Sequence, residues 1–225
     1  MGRRLDLPRF YPILDAGLLL RAGLSIEGFA QELRDAGIRF LQYRDKDAPD
    51  DLLLQRAALL RRIFPPSDSC LILNDRVALV NSSRYEGVHV GQEDISPSDA
   101  RAIVGPGVLI GVSTHSEQQL LAAADGPADY VAIGPVFATL SKQVPDPVVG
   151  IEGVRAARAI TAKPVVAIGG ISRANCAAVI EAGADSVGVI SDLIPRQGSF
   201  TGKIVEEFFL RLGEHGGSPS SSFLP

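Results

Sequence analysis

Short apolar runs alternate with amphipathic segments along almost the whole chain. The runs are apolar at nearly every position, as expected of strands buried on both faces of a parallel sheet. The segments between them repeat apolar residues at helical spacing. Eight strand-then-helix units follow one another, each about 20 to 30 residues long. The predicted strands are FYPILD, IRFLQ, CLIL, GVHV, VLIGV, DYVAI, PVVAI and SVGVI.

Serines are expected to cap several of the predicted helices, the helix after Ser96 or Ser98 among them. Ser25 is expected to cap a helix over IEGFAQELRDA, and Ser172 a helix over RANCAAVIEA, because a serine hydroxyl accepts a hydrogen bond from a free N–H of the first turn. Residues 15–24, between the first strand and the first of these helices, are interpreted as a loop.

The regular alternation implies a parallel sheet, since each helical crossover returns the chain to the same end. We predict an α/β fold, a single-domain (βα)8 TIM barrel over residues 10–213. Residues 1–9 form an N-terminal extension, and residues 214–225 a low-complexity tail that is expected to be disordered. An open, doubly wound sheet is the alternative, because periodicity does not reveal closure.

The overall charge narrows the function classes. A net charge of -4 and a pI near 5.4 argue against general nucleic-acid or membrane-surface binding, which would need a basic field. No apolar run is long enough to span a bilayer, and the N-terminus lacks the apolar core of a secretory signal, so a cytoplasmic location is expected. Cys70 and Cys176 are expected to be reduced core residues. The sequence does not determine the oligomeric state, and a homo-oligomer is compatible with it.

Polar residues follow the predicted strands, at the end of a barrel where catalytic groups lie. The segment QYRDK places Gln42, Arg44 and Lys46 two residues apart. In an extended chain these three side chains point the same way, and two cations with an amide suit a polyanion.

Two aspartates follow neighbouring strands. Asp75 and Asp94 are expected to converge beside the cations, which indicates a hard divalent ion such as Mg2+. The alternative is that both aspartates only cap turns or helices. Asp45 and Glu93 are expected to be solvated neighbours.

A second anion site is predicted at AIGGI, where Gly169 and Gly170 let backbone N–H groups approach a phosphate before the next helix. Ile190 and Ser191 end the eighth strand and fit the same site, although a pair of glycines is also typical of a tight turn. The long segment 134–150 contains Thr139, Ser141 and Lys142, and Lys142 either clamps a phosphate or is solvated.

Two histidines occur at or near strand ends. His115 either acts as an acid or base or only supports the site by hydrogen bonds, and the residues alone leave both readings open. His89 lies within an apolar strand and is interpreted as a satisfied, inward-facing residue.

Seven motifs stand in the order in which one family carries them: QYRDK, LND, GVHVGQED, GVSTH, GPVFATLSK, VAIGGI and GVIS. On these motifs the chain resembles the thiamine phosphate synthase family from about residue 10 to residue 191. The resemblance implies a (βα)8 barrel that joins hydroxymethylpyrimidine pyrophosphate to hydroxyethylthiazole phosphate with Mg2+ and releases pyrophosphate. Phosphorylated small molecules are the partners it implies.

Carried over by position, the resemblance implies three groups of site residues. The pyrimidine pyrophosphate would be held by Gln42, Tyr43, Arg44, Asp45, Lys46, Asn74, Ser113 and Lys142. The thiazole phosphate would be held by Thr139, Leu140, Ser141, Gly170, Ile190 and Ser191, and Mg2+ by Asp75 and Asp94. Catalysis would involve Arg44, Lys46, Ser113 and Lys142.

The implied mechanism is dissociative and needs no protein nucleophile, so that catalysis rests on positioning and on stabilising the departing charge. Ser141 stands where the family usually has Thr, and the serine retains the side-chain hydroxyl. Arg76 is expected to form a salt bridge with Asp75. The alternatives are a related thiazole tautomerase that uses His115 and a barrel that binds thiamine precursors without turnover.

Overall fold

The computed structural model describes residues 5–139, 147–196 and 199–214. The strands are Phe10–Asp15 (β1), Phe40–Arg44 (β2), Cys70–Asn74 (β3), Gly87–Val90 (β4), Leu109–Thr114 (β5), Tyr130–Ile133 (β6), Val165–Ala167 (β7) and Ser186–Val189 (β8). Each strand pairs in parallel with the next, and β1 pairs with β8 to close the barrel. The predicted (βα)8 barrel is confirmed, and the pairing of β1 with β8 excludes the open sheet.

Helices connect the strands and cover the barrel. Over the described residues they are Ala16–Arg21 (α1), Ile26–Asp35 (α2), Asp50–Ile63 (α3), Val80–Ser83 (α4), Pro97–Val104 (α5), Glu117–Asp125 (α6), Gly150–Ile160 (α7), Cys176–Glu181 (α8) and Thr201–Leu212 (α9). Two 3-10 turns lie at Val77–Leu79 and Ser191–Leu193. In the part of the chain that is described, none of the helices is both long and apolar enough to cross a membrane.

Alternate side chains of each strand fill two separate cores. One core lies inside the barrel and contains strand residues such as Tyr11, Phe40 and Tyr130, with no residue from a helix. The other lies between the strands and the surrounding helices. Leu7, in the segment before β1, is buried against the inner core. The period of two along each strand thus decides which residues can reach the barrel interior.

Carboxylates accept hydrogen bonds from N–H groups at the start of alternate strands, at the amino end of the barrel. Glu214 accepts from the N–H groups of Arg9 and Phe10 at β1, Glu86 from that of Leu71 at β3, Asp129 from that of Ile110 at β5, and Asp185 from that of Val165 at β7. A strand that enters a closed barrel leaves such groups unpaired, and buried unpaired N–H groups are costly. The four carboxylates satisfy them.

Arginines from the helices neutralise three of these four carboxylates. Arg61 lies 2.6 Å from Glu86, Arg101 2.6 Å from Asp129, and Arg158 2.7 Å from Asp185. Each arginine also donates to a backbone carbonyl just beyond the end of its own helix, at Phe64, Gly105 and Lys163 respectively. The same guanidinium therefore ties the end of a helix to the start of a strand.

Two of the predicted element boundaries need correction. Residues 15–24 are not a loop, because Asp15 accepts from the N–H of Leu18 at 2.7 Å and begins the helix α1. Ser172 does not cap α8, since it lies in the turn before the helix, where its N–H donates to the side chain of Asn175 at 2.8 Å. Ser25 does cap α2, through a bond of 3.3 Å from Gly28, as predicted.

The two cysteines are buried and form no disulfide, as predicted.

The carboxylate caps predict a selective loss of stability. Glu86→Gln keeps the shape of the side chain but removes the charge that Arg61 and the N–H of Leu71 share, so the free energy of unfolding should fall by about 1.5–3 kcal/mol. Urea denaturation measures this change. Glu206→Gln, at an exposed position of α9, is the control and should change little. An equal effect of both substitutions would contradict the role of the cap.

Candidate active site at the carboxyl end of the barrel

The cations that follow β2 lie where the strand period places them. Gln42 faces the barrel interior, where its Nε2 donates to the hydroxyl of Tyr11 at 2.8 Å. Arg44 lies on the same face of the strand and is paired with Asp15 of β1. Lys46 follows the strand, and its Nζ lies 3.6 Å from a carboxylate oxygen of Asp75. The lysine side chain is about half exposed, at 51%, so its charge is available at the mouth of the barrel.

Tyr43 and Asp45 lie on the opposite face of β2, and the structure does not bring their side chains to the barrel mouth. The Tyr43 hydroxyl donates to Asp45 at 2.8 Å, and Arg56 of α3 lies 2.7 Å from the same carboxylate. The expectation that Asp45 is solvated is wrong, because the residue is buried and paired with Arg56. This cluster packs the strand against its helix.

Two carboxylates meet beside Lys46. Asp75 follows β3 with a left-handed backbone, at φ 61°, and Asp94 lies in the turn after β4, where it accepts from the N–H of Gly91 at 2.7 Å. Burial, and then the charge of Asp94, raise the pKa of Asp75 to about 6, although Lys46 opposes the shift. The two aspartates therefore share a site that favours added positive charge.

Arg76 does not pair with Asp75, as the sequence suggested, but with Asp50. The guanidinium lies 2.6 Å from Asp50 at the start of α3 and donates to the carbonyls of Lys46 and Ala48. It fastens the loop that carries Lys46. The positive charge of Arg76 therefore stabilises this loop and is not paired with Asp75.

Ser113, at the end of β5, lies beside the inner polar residues of the barrel. Its Oγ is 2.9 Å from Nε2 of His89, and Nδ1 of His89 is 3.1 Å from the hydroxyl of Tyr130. The prediction that His89 is a satisfied, inward-facing residue is confirmed. Asn74, the last residue of β3, is in register with His89 and only partly buried.

His115 is tied to the next loop of the rim. Its Nδ1 lies 2.6 Å from the carbonyl oxygen of Gly134, and its backbone N–H donates to Gln119 at 2.7 Å. These contacts support the loop that leads out of β6.

The two glycines after β7 let neighbouring loops approach closely. Gly169 and Gly170 have φ angles of 89° and 66°, and a Cβ on Gly170 would lie 2.6 Å from the carbonyl oxygen of Ala138. Ile190 packs on the inner core, and Ser191 opens the 3-10 turn after β8. The loop after β7 therefore meets the loop after β6, and Arg173 joins it to the turn after β8 through Asp192. Thr139 is partly buried in the loop after β6, whereas Leu140, Ser141 and Lys142 lie outside the described residues.

Two supporting contacts were not predicted from the sequence. Asp15 is paired with Arg44. The position of this aspartate at the carboxyl end of β1 was the sequence signal that could have indicated a role in the site. Arg173 donates to Asp192 at 3.0 Å and to Glu207 of α9 at 2.8 Å, which joins the loop after β7 to the 3-10 turn after β8. No local pattern marks this second contact, because its partners come from separate elements.

Several known proteins are similar to this chain in sequence or in fold. A family model described as thiamine monophosphate synthase matches residues 10–193. A thiamine-phosphate synthase of Koribacter versatilis is 49% identical over 88% of this chain and 95% of its own length. One of Chloroflexus aurantiacus is 38% identical over 83% of this chain and 85% of its own. A solved structure, thiamine phosphate pyrophosphorylase from Pyrococcus furiosus, superposes with a TM-score of 0.81 at 30% identity, covering 93% of this chain and 97% of that one. The chain belongs to the thiamine monophosphate synthase family.

Proposed function

We propose that the chain condenses 4-amino-2-methyl-5-(diphosphooxymethyl)pyrimidine with 4-methyl-5-(2-phosphooxyethyl)thiazole to give thiamine phosphate and pyrophosphate. The observation that carries this proposal is the grouping of Arg44 and Lys46 with the carboxylates of Asp75 and Asp94 at one end of the barrel. Cations beside a carboxylate pair suit a diphosphate that binds together with a divalent metal ion. Family membership supports the same reaction, a transfer of a pyrimidinylmethyl group.

The carboxylate pair fits Mg2+. Among the described residues no three acidic, histidine or cysteine side chains form a metal cluster by themselves, but Mg2+ commonly takes one or two carboxylates together with substrate phosphate oxygens and water. The raised pKa of Asp75 reflects its burial and the nearby charge of Asp94, which the charges of Lys46 and Arg44 offset only in part. Asp75 and Asp94 would hold the ion, which would neutralise charge on the diphosphate and make it a better leaving group.

The reaction breaks the bond between the pyrimidine methylene carbon and the diphosphate oxygen, and it forms a bond from that carbon to the thiazole nitrogen. The diphosphate leaves with its electron pair, so the site has to stabilise growing negative charge on the leaving group. Arg44, held by Asp15, and Lys46, held by Asp75, supply fixed positive charge at this place. A substitution of this kind needs no nucleophile from the protein, since both reacting atoms belong to substrates.

We assign the predicted site residues as follows. Gln42, Asn74 and Ser113 hold the pyrimidine ring, Arg44 and Lys46 hold its diphosphate together with Lys142, and Tyr43 and Asp45 brace β2 from its outer face. The thiazole phosphate is held at the junction of the loops after β6, β7 and β8, by Thr139, Leu140, Ser141, Gly170, Ile190 and Ser191. The contacts of the loop after β7 with the loop after β6 and with the turn after β8 support the second assignment. A cytoplasmic location also stays a prediction.

A thiazole tautomerase or a binding protein without turnover has less support. The contact between His115 and the carbonyl of Gly134 supports a structural role for this histidine. Neither alternative needs two carboxylates crowded beside Lys46. A synthase therefore accounts for more of the charged residues at the barrel mouth.

Pyrophosphate release tests the function directly. With both substrates and Mg2+, the purified protein should release pyrophosphate in step with thiamine phosphate, and the omission of either substrate or of the metal should stop release. His115→Ala should keep measurable activity. A folded protein that releases no pyrophosphate but isomerises the thiazole would refute the synthase and support the tautomerase.

The carboxylate pair is tested by removing one charge at a time. Asp94→Asn should lower Mg2+-dependent turnover by ~100-fold or more, because one of the two metal ligands is lost. Glu93→Gln, an exposed carboxylate next to it in the chain, is the matched control and should keep normal turnover. Full activity of Asp94→Asn would refute the metal assignment.

The same pair makes a prediction about stability that does not involve turnover. The pKa of Asp75 is raised above its unfolded value of 3.8 to about 6. The protonated side chain therefore stabilises the folded state below about pH 4, and this stabilisation is lost as the pH rises through about 6. In metal-free buffer at about pH 8, Asp75→Asn should therefore raise the free energy of unfolding by about 1–3 kcal/mol. Asn also tolerates the left-handed backbone, but that gain is independent of pH. Urea denaturation of both proteins at pH 4 and at pH 8 separates the effect of charge from that of the backbone. A gain in the free energy of unfolding that is equal at the two pH values would contradict the explanation by buried, like charges.

A further inference from the structure

Four consecutive hydrogen bonds cross the interior of the barrel. Nε2 of Gln42 donates to the hydroxyl of Tyr11 at 2.8 Å, and this hydroxyl lies 2.9 Å from that of Tyr130. The Tyr130 hydroxyl is 3.1 Å from Nδ1 of His89, whose Nε2 is 2.9 Å from Oγ of Ser113. This polar chain, from Gln42 through Tyr11, Tyr130 and His89 to Ser113, begins and ends at residues that the proposed function assigns to the pyrimidine ring.

A glycine makes room for the middle of the polar chain. Gly111 of β5 is in register with His89 on one side and with Tyr130 on the other. A Cβ at Gly111 would lie 2.4 Å from the Tyr130 hydroxyl and 2.5 Å from Nδ1 of His89, closer than atoms approach without a shift. The missing side chain at this position lets the tyrosine and the histidine meet.

One order of protons gives every hydroxyl in the middle of the polar chain an acceptor. The amide nitrogen of Gln42 donates to Tyr11, and in this order the Tyr11 proton is directed to Tyr130 and the Tyr130 proton to Nδ1 of His89. In the reverse order the Tyr11 hydroxyl would accept twice, and its own proton would have no acceptor within the polar chain. A neutral His89 that accepts at Nδ1 carries its proton on Nε2 and donates to Ser113. The Ser113 hydroxyl then keeps its own proton for a further acceptor, and the Gln42 side chain keeps its carbonyl oxygen for a further donor.

Burial keeps every member of the polar chain neutral near pH 7. The inner tyrosines are almost fully buried, and burial raises the pKa of both Tyr11 and Tyr130 above the ordinary range. Burial also lowers the pKa of His89 to about 4. Each group therefore carries one fixed proton, and a buried, fully paired network of this kind is rigid.

We propose that Tyr11, Tyr130 and His89 are positioning residues that set Ser113 as a hydrogen-bond donor and Gln42 as an acceptor toward the substrate ring. This proposal rests on the proposed function and deepens it. A 4-aminopyrimidine offers a ring nitrogen that accepts beside an amino group that donates, which complements this pair. The 4-oxo analogue offers a ring N–H and a carbonyl oxygen, the reverse arrangement. The polar chain thus selects the amino form of the heterocycle over the oxo form.

Removing one hydroxyl from the middle of the polar chain tests the proposal. Tyr130→Phe keeps the ring but breaks the link between Tyr11 and His89. Tyr85→Phe is the matched control, because Tyr85 is also buried and its hydroxyl donates to the carbonyl of Ala57, outside the inner core, at 3.2 Å. Calorimetry in the presence of Mg2+ measures the binding of the pyrimidine diphosphate, of its 4-oxo analogue and of inorganic pyrophosphate.

The wild-type protein and Tyr85→Phe should prefer the amino compound over the oxo compound by ~100-fold. Tyr130→Phe should bind the amino compound about tenfold more weakly and lose about tenfold of this preference, with the affinity for inorganic pyrophosphate unchanged. If Tyr130→Phe does not fold, Tyr11→Phe breaks the same polar chain and carries the same expectation.

Three results would overturn the proposal. An unchanged preference in a folded variant with a broken polar chain would show that the order of protons does not set selectivity. A parallel loss of affinity for inorganic pyrophosphate would show general damage to the site instead of a changed ring pocket. If the wild-type protein bound the pyrimidine diphosphate no better than inorganic pyrophosphate, the proposed function itself would fail, and this proposal with it.

Discussion

The pairing of β1 with β8 is the constraint on which the rest of the structure depends. Once the sheet closes, every strand has an inner and an outer face, and the carboxyl ends of all eight strands lie around one opening. Asp15 and Arg44, or Asp75 and Asp94, are far apart in the chain and become neighbours because their strands pair, whereas the contact between Tyr11 of β1 and Tyr130 of β6 crosses the closed barrel. An open sheet with the same local sequences would leave β1 and β8 apart and would not complete the ring.

The two ends of the barrel use charge in different ways. At the amino end, Glu86, Asp129 and Asp185 are each matched by an arginine and by a strand N–H, so their charges are consumed in holding helices to strands. At the carboxyl end, Lys46 is half exposed, and burial together with the charge of Asp94 raises the pKa of Asp75. The charges at the amino end are therefore paired within the protein, while those at the carboxyl end are placed where a charged ligand can pair with them.

Between these ends lies a layer of polar side chains inside an otherwise apolar core. Buried hydroxyl and imidazole groups destabilise a core unless they are hydrogen-bonded. In the polar chain each of them has a partner, and Gly111 provides the space that the contact between His89 and Tyr130 requires. The inner core therefore supports the mouth of the barrel as well as filling its centre.

The sequence by itself determined the order and type of the elements, because helical and strand periods are local properties of neighbouring residues. It also indicated that polar residues follow the strands, and the seven motifs identified the family. Only the tertiary structure decided which partner each side chain takes. Arg76 lies on Asp50 instead of Asp75, and Asp45 is buried against Arg56. The helix over residues 16–21 is a different case, because its cap from Asp15 to the N–H of Leu18 is a local signal that the sequence interpretation missed. The polar chain joins four strands, β1, β2, β4 and β6, to the end of β5, and these come together only after closure. Hydrogen bonds and ion pairs between separate elements depend on the register of the closed barrel, and no local pattern encodes that register.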